Sequence, residues 1–420
     1  MAVVFAVEVA VATDMAIIRH KLAVAAVVLV SAGHSNAENG WDTDVSVLSY
    51  SESQERVNVS KGIWDLTRTT DDAQTTVQLV YDTMSGASPT GAIQGSAGSV
   101  TFTGASGGSA TAAGEADRVA TVFSDTRTQI GVDQDWQLTR QHQFSFGAVI
   151  STESDYESMG GSIGLKRESL SKNTAIDIGF ATTFDTVSRS YAIGTPAPLS
   201  NTENNRSFSD GERSTTDLAL GVTQVLNRQT LAQLTVTFSQ SEGYLTDPYK
   251  VISVANDQNR VFETYYESRP ESRQRTSAYA KLVHQIKNTR HAVHLGYRLY
   301  QDDWGIQSNT LDVKYRHQLT PRHYLEPHFR FYTQTAADFY QRKLDVDEVQ
   351  RVILPADGFA SADYRLDAMN SMTIGAKYGY SLTPGTKIRF RLAYLQQRYK
   401  TAVFDENNAV IIQTSLNYRF

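Results

Sequence analysis

The sequence contains no cysteine. That excludes disulfides, thiolate metal sites and cysteine nucleophiles. Proline is scarce, with 9 residues against 21 tyrosines and 17 phenylalanines, a balance that favours strands. An excess of base is also lacking. The 39 lysines and arginines face 45 acids, for a net charge of -6. A nucleic-acid partner would need a basic stripe, so none is expected. Mean hydropathy is -0.35. Past the N-terminus no run reaches the roughly 18 apolar residues of a membrane-spanning helix. The 420 residues would by length alone allow one to three domains.

What is present begins with a targeting signal. From Met15 the chain reads M-A-I-I-R-H-K, then L-A-V-A-A-V-V-L-V, then S-A-G-H-S-N-A. A basic segment, a short apolar segment and small residues before a cleavage point predict a signal peptide ending at Ala37. Residues 1–14 read as an upstream extension from an earlier start. Residues 1–37 are therefore expected to be removed. Glu8, Asp14, Arg19 and Lys21 cancel, so residues 38–420 keep the net charge of -6.

Those residues read as strands almost throughout. Alternation at period two predicts sixteen, near 41–50, 56–66, 75–82, 125–138, 142–152, 158–170, 174–185, 213–226, 231–244, 273–286, 291–301, 306–319, 324–339, 364–381, 386–398 and 408–420. Many are long for a soluble sheet, where about 5–6 residues is usual. They suit tilted membrane-spanning strands of about 9–11 residues with overhang. Connections after even-numbered strands are short, as in Thr139-Arg140-Gln141 and Leu382-Thr383-Pro384-Gly385. The four long ones, 83–124, 186–212, 245–272 and 340–363, all follow odd-numbered strands. Every long loop then falls on one side. That is the plan of a closed antiparallel transmembrane β-barrel, all-β, with short periplasmic turns and long extracellular loops. The expected location is the bacterial outer membrane, and the expected surroundings are its lipid. The stretch from Gly86 to Gly114 is low in complexity. It reads as a mobile extracellular loop, and composition leaves open whether it folds into the lumen.

The two faces of each strand differ. On 386–398, Ile388, Phe390, Leu392 and Tyr394 oppose Lys387, Arg389 and Arg391. On 291–301, Val293, Leu295, Tyr297 and Leu299 oppose His294, Gly296 and Arg298. A sheet with one apolar and one charged face needs lipid on one side and water on the other. The phases turn Arg298, Lys314, Arg316, Arg330, Lys377, Arg389, Arg391 and Arg419 inward from the C-terminal half. Asp133, Asp135, Asp177 and Asp217 turn inward from the N-terminal half. Such opposed rows would set up a transverse field that selects solutes. The competing reading is that the charges pair between strands and fill the interior. The last strand carries Leu416, Tyr418 and Phe420 on its apolar face, a C-terminal signal for the barrel-assembly machinery. Trp41, Trp64, Tyr81, Trp136, Tyr244 and Trp304 suit interfacial girdles.

Several stretches are specific to a family. They are Y-D-T-M-S-G-A-S-P at 81–89, S-T-E-S-D-Y-E-S at 151–158, G-Y-L-T-D-P-Y-K-V at 243–251, Y-E-S-R-P-E-S-R at 266–273, Y-R-L-Y-Q-D-D-W-G-I at 297–306, F-Y-T-Q-T-A-A-D-F-Y at 331–340 and A-S-A-D-Y-R-L at 360–366. Together they resemble the bacterial domain-of-unknown-function family numbered 3570, predicted outer-membrane barrels, over nearly all of residues 38–420. The resemblance implies the fold and the location and carries over no catalytic residue.

Three functions compete. The first is a porin-like channel for small polar or charged solutes. The second is a plugged barrel serving an envelope assembly as a structural or docking component. The third is an outer-membrane hydrolase, for which His284, His294 and His328 are the candidate bases. No G-x-S-x-G motif frames a serine, so no enzyme and no catalytic residue is expected. Asp302-Asp303 and Asp345-x-Asp347-Glu348 offer hard oxygen ligands for Ca²⁺, but they lack the glycine-punctuated spacing of a calcium loop and read as solvated tips. No metal or other cofactor is expected. Tyr266, Arg269, Pro270 and Arg273 share a long loop, either as an external binding patch or as a brace against the barrel. A homo-oligomer is compatible by analogy with porins.

The absence of cysteine makes the phase directly testable. Single cysteines at Leu295 and Phe390 are expected to react with a lipid-phase maleimide, and those at Arg298 and Arg391 with a water-soluble one. The reverse pattern would overturn the assignment of faces.

Overall fold

The computed structural model describes residues 39–92, 100–103, 109–112, 120–188, 194–202 and 211–420. The expected signal peptide and much of the Gly86–Gly114 loop lie outside them. Sixteen strands form one closed antiparallel ring. They are β1 (Gly40–Glu52), β2 (Val57–Thr69), β3 (Ala73–Pro89), β4 (Ala120–Gln137), β5 (His142–Thr152), β6 (Tyr156–Glu168), β7 (Thr174–Val187) and β8 (Gly211–Asn227). There follow β9 (Thr230–Gly243), β10 (Ser272–Gln285), β11 (Ala292–Asp302), β12 (Gln307–Gln318), β13 (His323–Gln334), β14 (Met369–Ser381), β15 (Thr386–Tyr399) and β16 (Glu406–Arg419). Each strand pairs with the next in sequence, and β16 returns to β1 in the register Val45↔Leu416 and Ser49↔Ile412. Trp41 and Phe420 exchange two backbone hydrogen bonds of 2.9 Å at the seam.

The alternation in sequence becomes the two surfaces of the ring. Val47 is 59 % exposed and Ile150 60 %, whereas Lys314 is 7 % and Arg391 3 % exposed. Most apolar side chains face outward because lipid accepts them, and most polar ones face inward because lipid does not. The exception is a buried apolar patch on the inner side of β1–β3, β15 and β16, with Leu48, Tyr50, Val57, Val59, Leu395 and Ile411. Strand ends shift where caps intervene. The expected strands 324–339 and 364–381 are shorter, ending at Gln334 and beginning at Met369. Asp363 accepts from the Arg365 amide at 3.1 Å and caps a 3-10 turn, Tyr364–Leu366. Asp367 accepts from the Thr401 and Ala402 amides at 2.6 and 2.8 Å. These caps redirect the chain before the strand begins.

The aromatic girdle is only partly as expected. Trp41, Trp64, Tyr81 and Trp136 are exposed on the outer face, with Tyr81 in mid-strand. Trp304 is instead 4 % exposed, packed edge-on against Phe339 at 5.1 Å with the Arg273 guanidinium 4.2 Å from its ring. Tyr244 packs over Gly211, where a Cβ would come within 2.5 Å of its ring. Both belong to loop packing, because each lies past the end of a strand where the alternation no longer governs direction.

Ile374 sits halfway along β14 and faces outward. Ile374→Arg is expected to destabilise the folded barrel by about 2–4 kcal/mol, and Tyr418→Arg, near the strand end, by about 0–1 kcal/mol. Urea titration of the vesicle-inserted protein reads both, and equal costs would overturn the depth assignment.

Candidate functional site

The inner wall is a set of short ion-paired ladders. Asp82 on β3 takes Arg127 of β4 at 2.7 Å and Lys61 of β2 at 3.7 Å. Lys166 meets Glu168 at 3.0 Å, and Arg213 meets Asp185 at 2.7 Å. Across the ring, Asp312 takes both Arg330 and His328 at 2.9 Å. Glu326 takes Lys377 at 2.8 Å, and Asp44 takes Arg389. Directly opposed positions on adjacent strands bring several of these groups together, as in Asp312↔Arg330 and Glu326↔Lys377. Lys166 and Glu168 lie two apart on one strand, and Asp44 and Arg389 reach each other across β16. The wall is therefore less divided by sign than the expected rows. Asp312, Glu326 and Asp44 supply acid to the basic half, and Lys61, Arg127 and Lys166 supply base to the acidic half.

The remaining inward residues are spread along the ring. The Arg298 guanidinium lies 5.3 Å from the Tyr279 ring, and that of Arg316 3.7 Å from the Tyr324 ring. Lys314 and Arg391 are buried on the inner face. Arg419 is exposed beside Asp42 at the seam. Ser145 hydrogen-bonds Asp135. Asp177 and Asp217 are buried, opposite Gly221 and Ala181 respectively on the neighbouring strand, and Asp133 opposes Gly147. Leu416, Tyr418 and Phe420 are exposed, the last two stacked at 5.6 Å. Of the three histidines, His284 is exposed and contacts Thr230 at 2.9 Å, His294 is half-buried, and His328 is held through Nε2 by Asp312. His328 Nδ1 has no hydrogen-bond partner among the described residues.

Above this lumen the loops close over one another. Val251 donates to the Thr90 carbonyl at 2.9 Å, joining the β9–β10 loop to the end of β3 from nearly the opposite side of the ring. Tyr266 donates to the Ser200 carbonyl at 2.9 Å and Thr202 to the Thr264 carbonyl at 2.9 Å, which adds the β7–β8 loop. Ser253–Val254 pairs in parallel with Lys343–Leu344 of the β13–β14 loop, and Ser268 pairs with Ala360. Loops rooted around the circumference meet only by crossing the mouth. Ile252, Val254, Leu344, Ala360 and Ala362 form a small apolar core between them.

At the centre lie three acids and three bases: Asp247, Glu267, Asp363, Lys250, Arg269 and Arg365. Arg269 reaches Glu267 at 2.6 Å and Asp363 at 2.7 Å. Arg365 reaches Asp247 at 2.8 Å and also pairs with Asp363. Ser361 hydrogen-bonds Glu267. Arg269 thus acts as a brace, as does Arg273, which pairs with Asp302. Asp302 also accepts from the Trp304 and Ile306 amides at 3.1 and 2.9 Å. Asp347 accepts from the Val349 and Arg351 amides at 3.0 and 2.8 Å. Asp302 and Asp347 are therefore turn caps, while Asp345 pairs with Lys343 at 3.1 Å. One carboxylate group not singled out in the sequence, Asp125, Glu153 and Asp155, has ligand atoms within 4.8 Å of one another. The ion cluster was also not foreseen, although its members lie in the stretches 243–251, 266–273 and 360–366.

A family model described as "Protein of unknown function (DUF3570)" matches residues 19–417. The chain belongs to that family. A closed sixteen-strand ring with an apolar outer face is the architecture of an outer-membrane β-barrel. No curated protein matches it. Among solved structures it is similar to the CymD monoaromatic hydrocarbon channel, at 8 % identity and TM-score 0.42 over 94 % of this chain and 93 % of that one. It is similar to the ferric enterobactin receptor (PfeA), at 12 % identity and TM-score 0.44 over 88 % of this chain and 55 % of that one. It is also similar to Pseudomonas aeruginosa OccK2 (OpdF), at 8 % identity and TM-score 0.40 over 91 % and 98 %.

The ion cluster between the loops of this DUF3570 barrel carries opposed pKa shifts. Burial alone would raise Asp363 and Asp247, but Arg365, Lys250 and Arg269 outweigh it and hold both below the usual carboxylate range. A depressed carboxyl stabilises the fold above its ordinary value of about 4 and loses that contribution only as pH falls through the lower folded value. Glu267 is pushed up, by burial first. Protonating it relieves part of that cost, so it too leaves the plug closed. Limited proteolysis of the 335–368 loop is expected to be unchanged between neutral pH and about pH 5. Asp363→Ala, which leaves two buried guanidiniums short of a partner, is expected to cost about 3–5 kcal/mol locally and open the loop to cleavage at neutral pH. Cleavage of the wild type on mild acidification would overturn this.

Proposed function

We propose that this barrel is a porin-like channel for small polar or charged solutes, held closed by its own loops. The observation that carries the reading is the closed sixteen-strand ring with a polar, ion-paired inner face. Rings of about eight strands are filled by their side chains, whereas about sixteen to eighteen leave an aqueous lumen. Paired charges favour water and polar solutes along the wall and leave only modest charge selectivity. The woven loops are the gate, and solute passage requires that they part. The reading involves no catalysis. The exposed strip of Leu416, Tyr418 and Phe420 is the feature the barrel-assembly machinery would engage.

A second reading has an observation of its own. Four loops joined by backbone hydrogen bonds make a firm outer surface, which suits a docking component of an envelope assembly.

Planar-bilayer recording of the refolded protein separates them. The channel reading expects rare, brief openings in the wild type and frequent ones after Arg365→Ala plus Arg269→Ala. It expects a shift toward cation selectivity after Arg316→Ala plus Arg391→Ala. Silence from all three, with folding verified by heat-modifiable mobility, would remove the channel reading and leave the docking one.

A further inference from the structure

Five of the periplasmic turns share a composition that the lumen and the plug do not explain. Leu138 is followed by Arg140, Leu170 by Lys172, and Leu226 by Arg228. Ile286 is followed by Lys287 and Arg290, and Leu319 by Arg322. These five turns, between β4 and β5 and at every second connection to that between β12 and β13, contain no acid from 138–141, 169–173, 228–229, 286–291 or 319–322. The first turn, Thr70-Asp71-Asp72, and the last, Leu382-Thr383-Pro384-Gly385, which carries no base, depart from the pattern. The bases are exposed. So are the leucines, with Leu170 at 79 %, Leu138 at 61 % and Leu319 at 51 %. Leu138, Leu226 and Leu319 continue the phase of the outward-facing apolar residues of their strands. Each of the five turns thus presents an apolar group at the level of the membrane boundary with a cation beside it, on a chain whose net charge is -6.

We propose that this rim binds the phosphate groups of anionic phospholipid in the inner leaflet of the outer membrane. The leucines enter the acyl boundary, and the bases then meet the headgroup phosphates as charge-assisted donors. Repetition around the ring favours a lipid annulus over a soluble acidic partner, which would touch one arc. Lys172 also lies 3.7 Å from Glu168, so its share is reduced. The inference is independent of whether the lumen conducts.

The test is quenching of tryptophan fluorescence in nanodiscs, where the outer-face Trp41, Trp64 and Trp136 report the lipid in contact. Dibrominated phosphatidylglycerol and dibrominated phosphatidylcholine are compared as quenchers in a phosphatidylcholine host. The expected result is an approximately threefold or greater preference for the anionic lipid. It should fall close to one at about 0.5 M NaCl, where the screening length is a few ångströms. It should also be lost when Arg140, Lys172, Arg228, Lys287, Arg290 and Arg322 are all replaced by Gln. Equal quenching by the two lipids, or a preference that survives these substitutions, would overturn the proposal. So would loss of the preference to inorganic phosphate at an ionic strength where NaCl has no effect, which assigns the bases to free phosphate. If the sixfold variant fails to insert, the wild-type salt series decides, and a salt-insensitive preference overturns the proposal.

Discussion

The constraint on which the structure depends is the backbone in lipid. Hydrocarbon offers no partner for an N–H or a C=O, and each unsatisfied group there costs several kcal/mol. A strand sheet meets that demand only by closing, and here closure is the pairing of β1 with β16. The seam ends in the Trp41–Phe420 exchange. Once the ring is closed, alternation has only one consistent outcome. A slip of one residue would send Arg389 and Arg391 into lipid and Phe390 and Leu392 into the lumen, so register is fixed by the same energetics that fix closure.

That account separates what could be read along the chain from what could not. On β15, Ile388, Phe390, Leu392 and Tyr394 read as an outer face and are exposed there. Period two is local, and lipid on one side enforces it. Loop parity located the mouth for a related reason: turns on one side are as short as the hairpin allows. The plug was not legible because loops carry no period. Asp247 and Arg365 are 118 residues apart, and only tertiary structure brings them to 2.8 Å. The lumen fell between these cases. Asp312 and Glu326 had the right phase, but pairing to Arg330 and Lys377 depends on which residues stand opposite across the strands. The overlong strand 324–339 has a similar cause, since Phe339 and Tyr340 continue an aromatic pattern while packing in the loop core around Trp304.

The two polar assemblies differ in what they require of their surroundings. Wall pairs such as Asp82 with Arg127 bridge neighbouring strands that are already hydrogen-bonded. They are consequences of the ring rather than its cause. The cluster of Asp247, Glu267, Asp363, Lys250, Arg269 and Arg365 bridges two loops that share no long strand pairing. There the charges hold the parts in place.

This bears on which function the plug suits. Withdrawing six charges from water is costly, fully for Lys250, Glu267 and Asp363 and partly for the other three, and their mutual attraction repays the desolvation only when every partner is present. An apolar core of the same size would close a mouth more firmly and with less geometric demand. The apolar core between these loops is small, with two alanines among its five buried members. The part of the closure that rests on the ion cluster is specific in its geometry yet less favoured over a hydrated, parted state than apolar packing would be, because water restores to each charge much of what separation removes. Such a balance is what the proposed channel requires of its gate. The cluster itself sums to zero, so separating its members adds no net charge at the mouth.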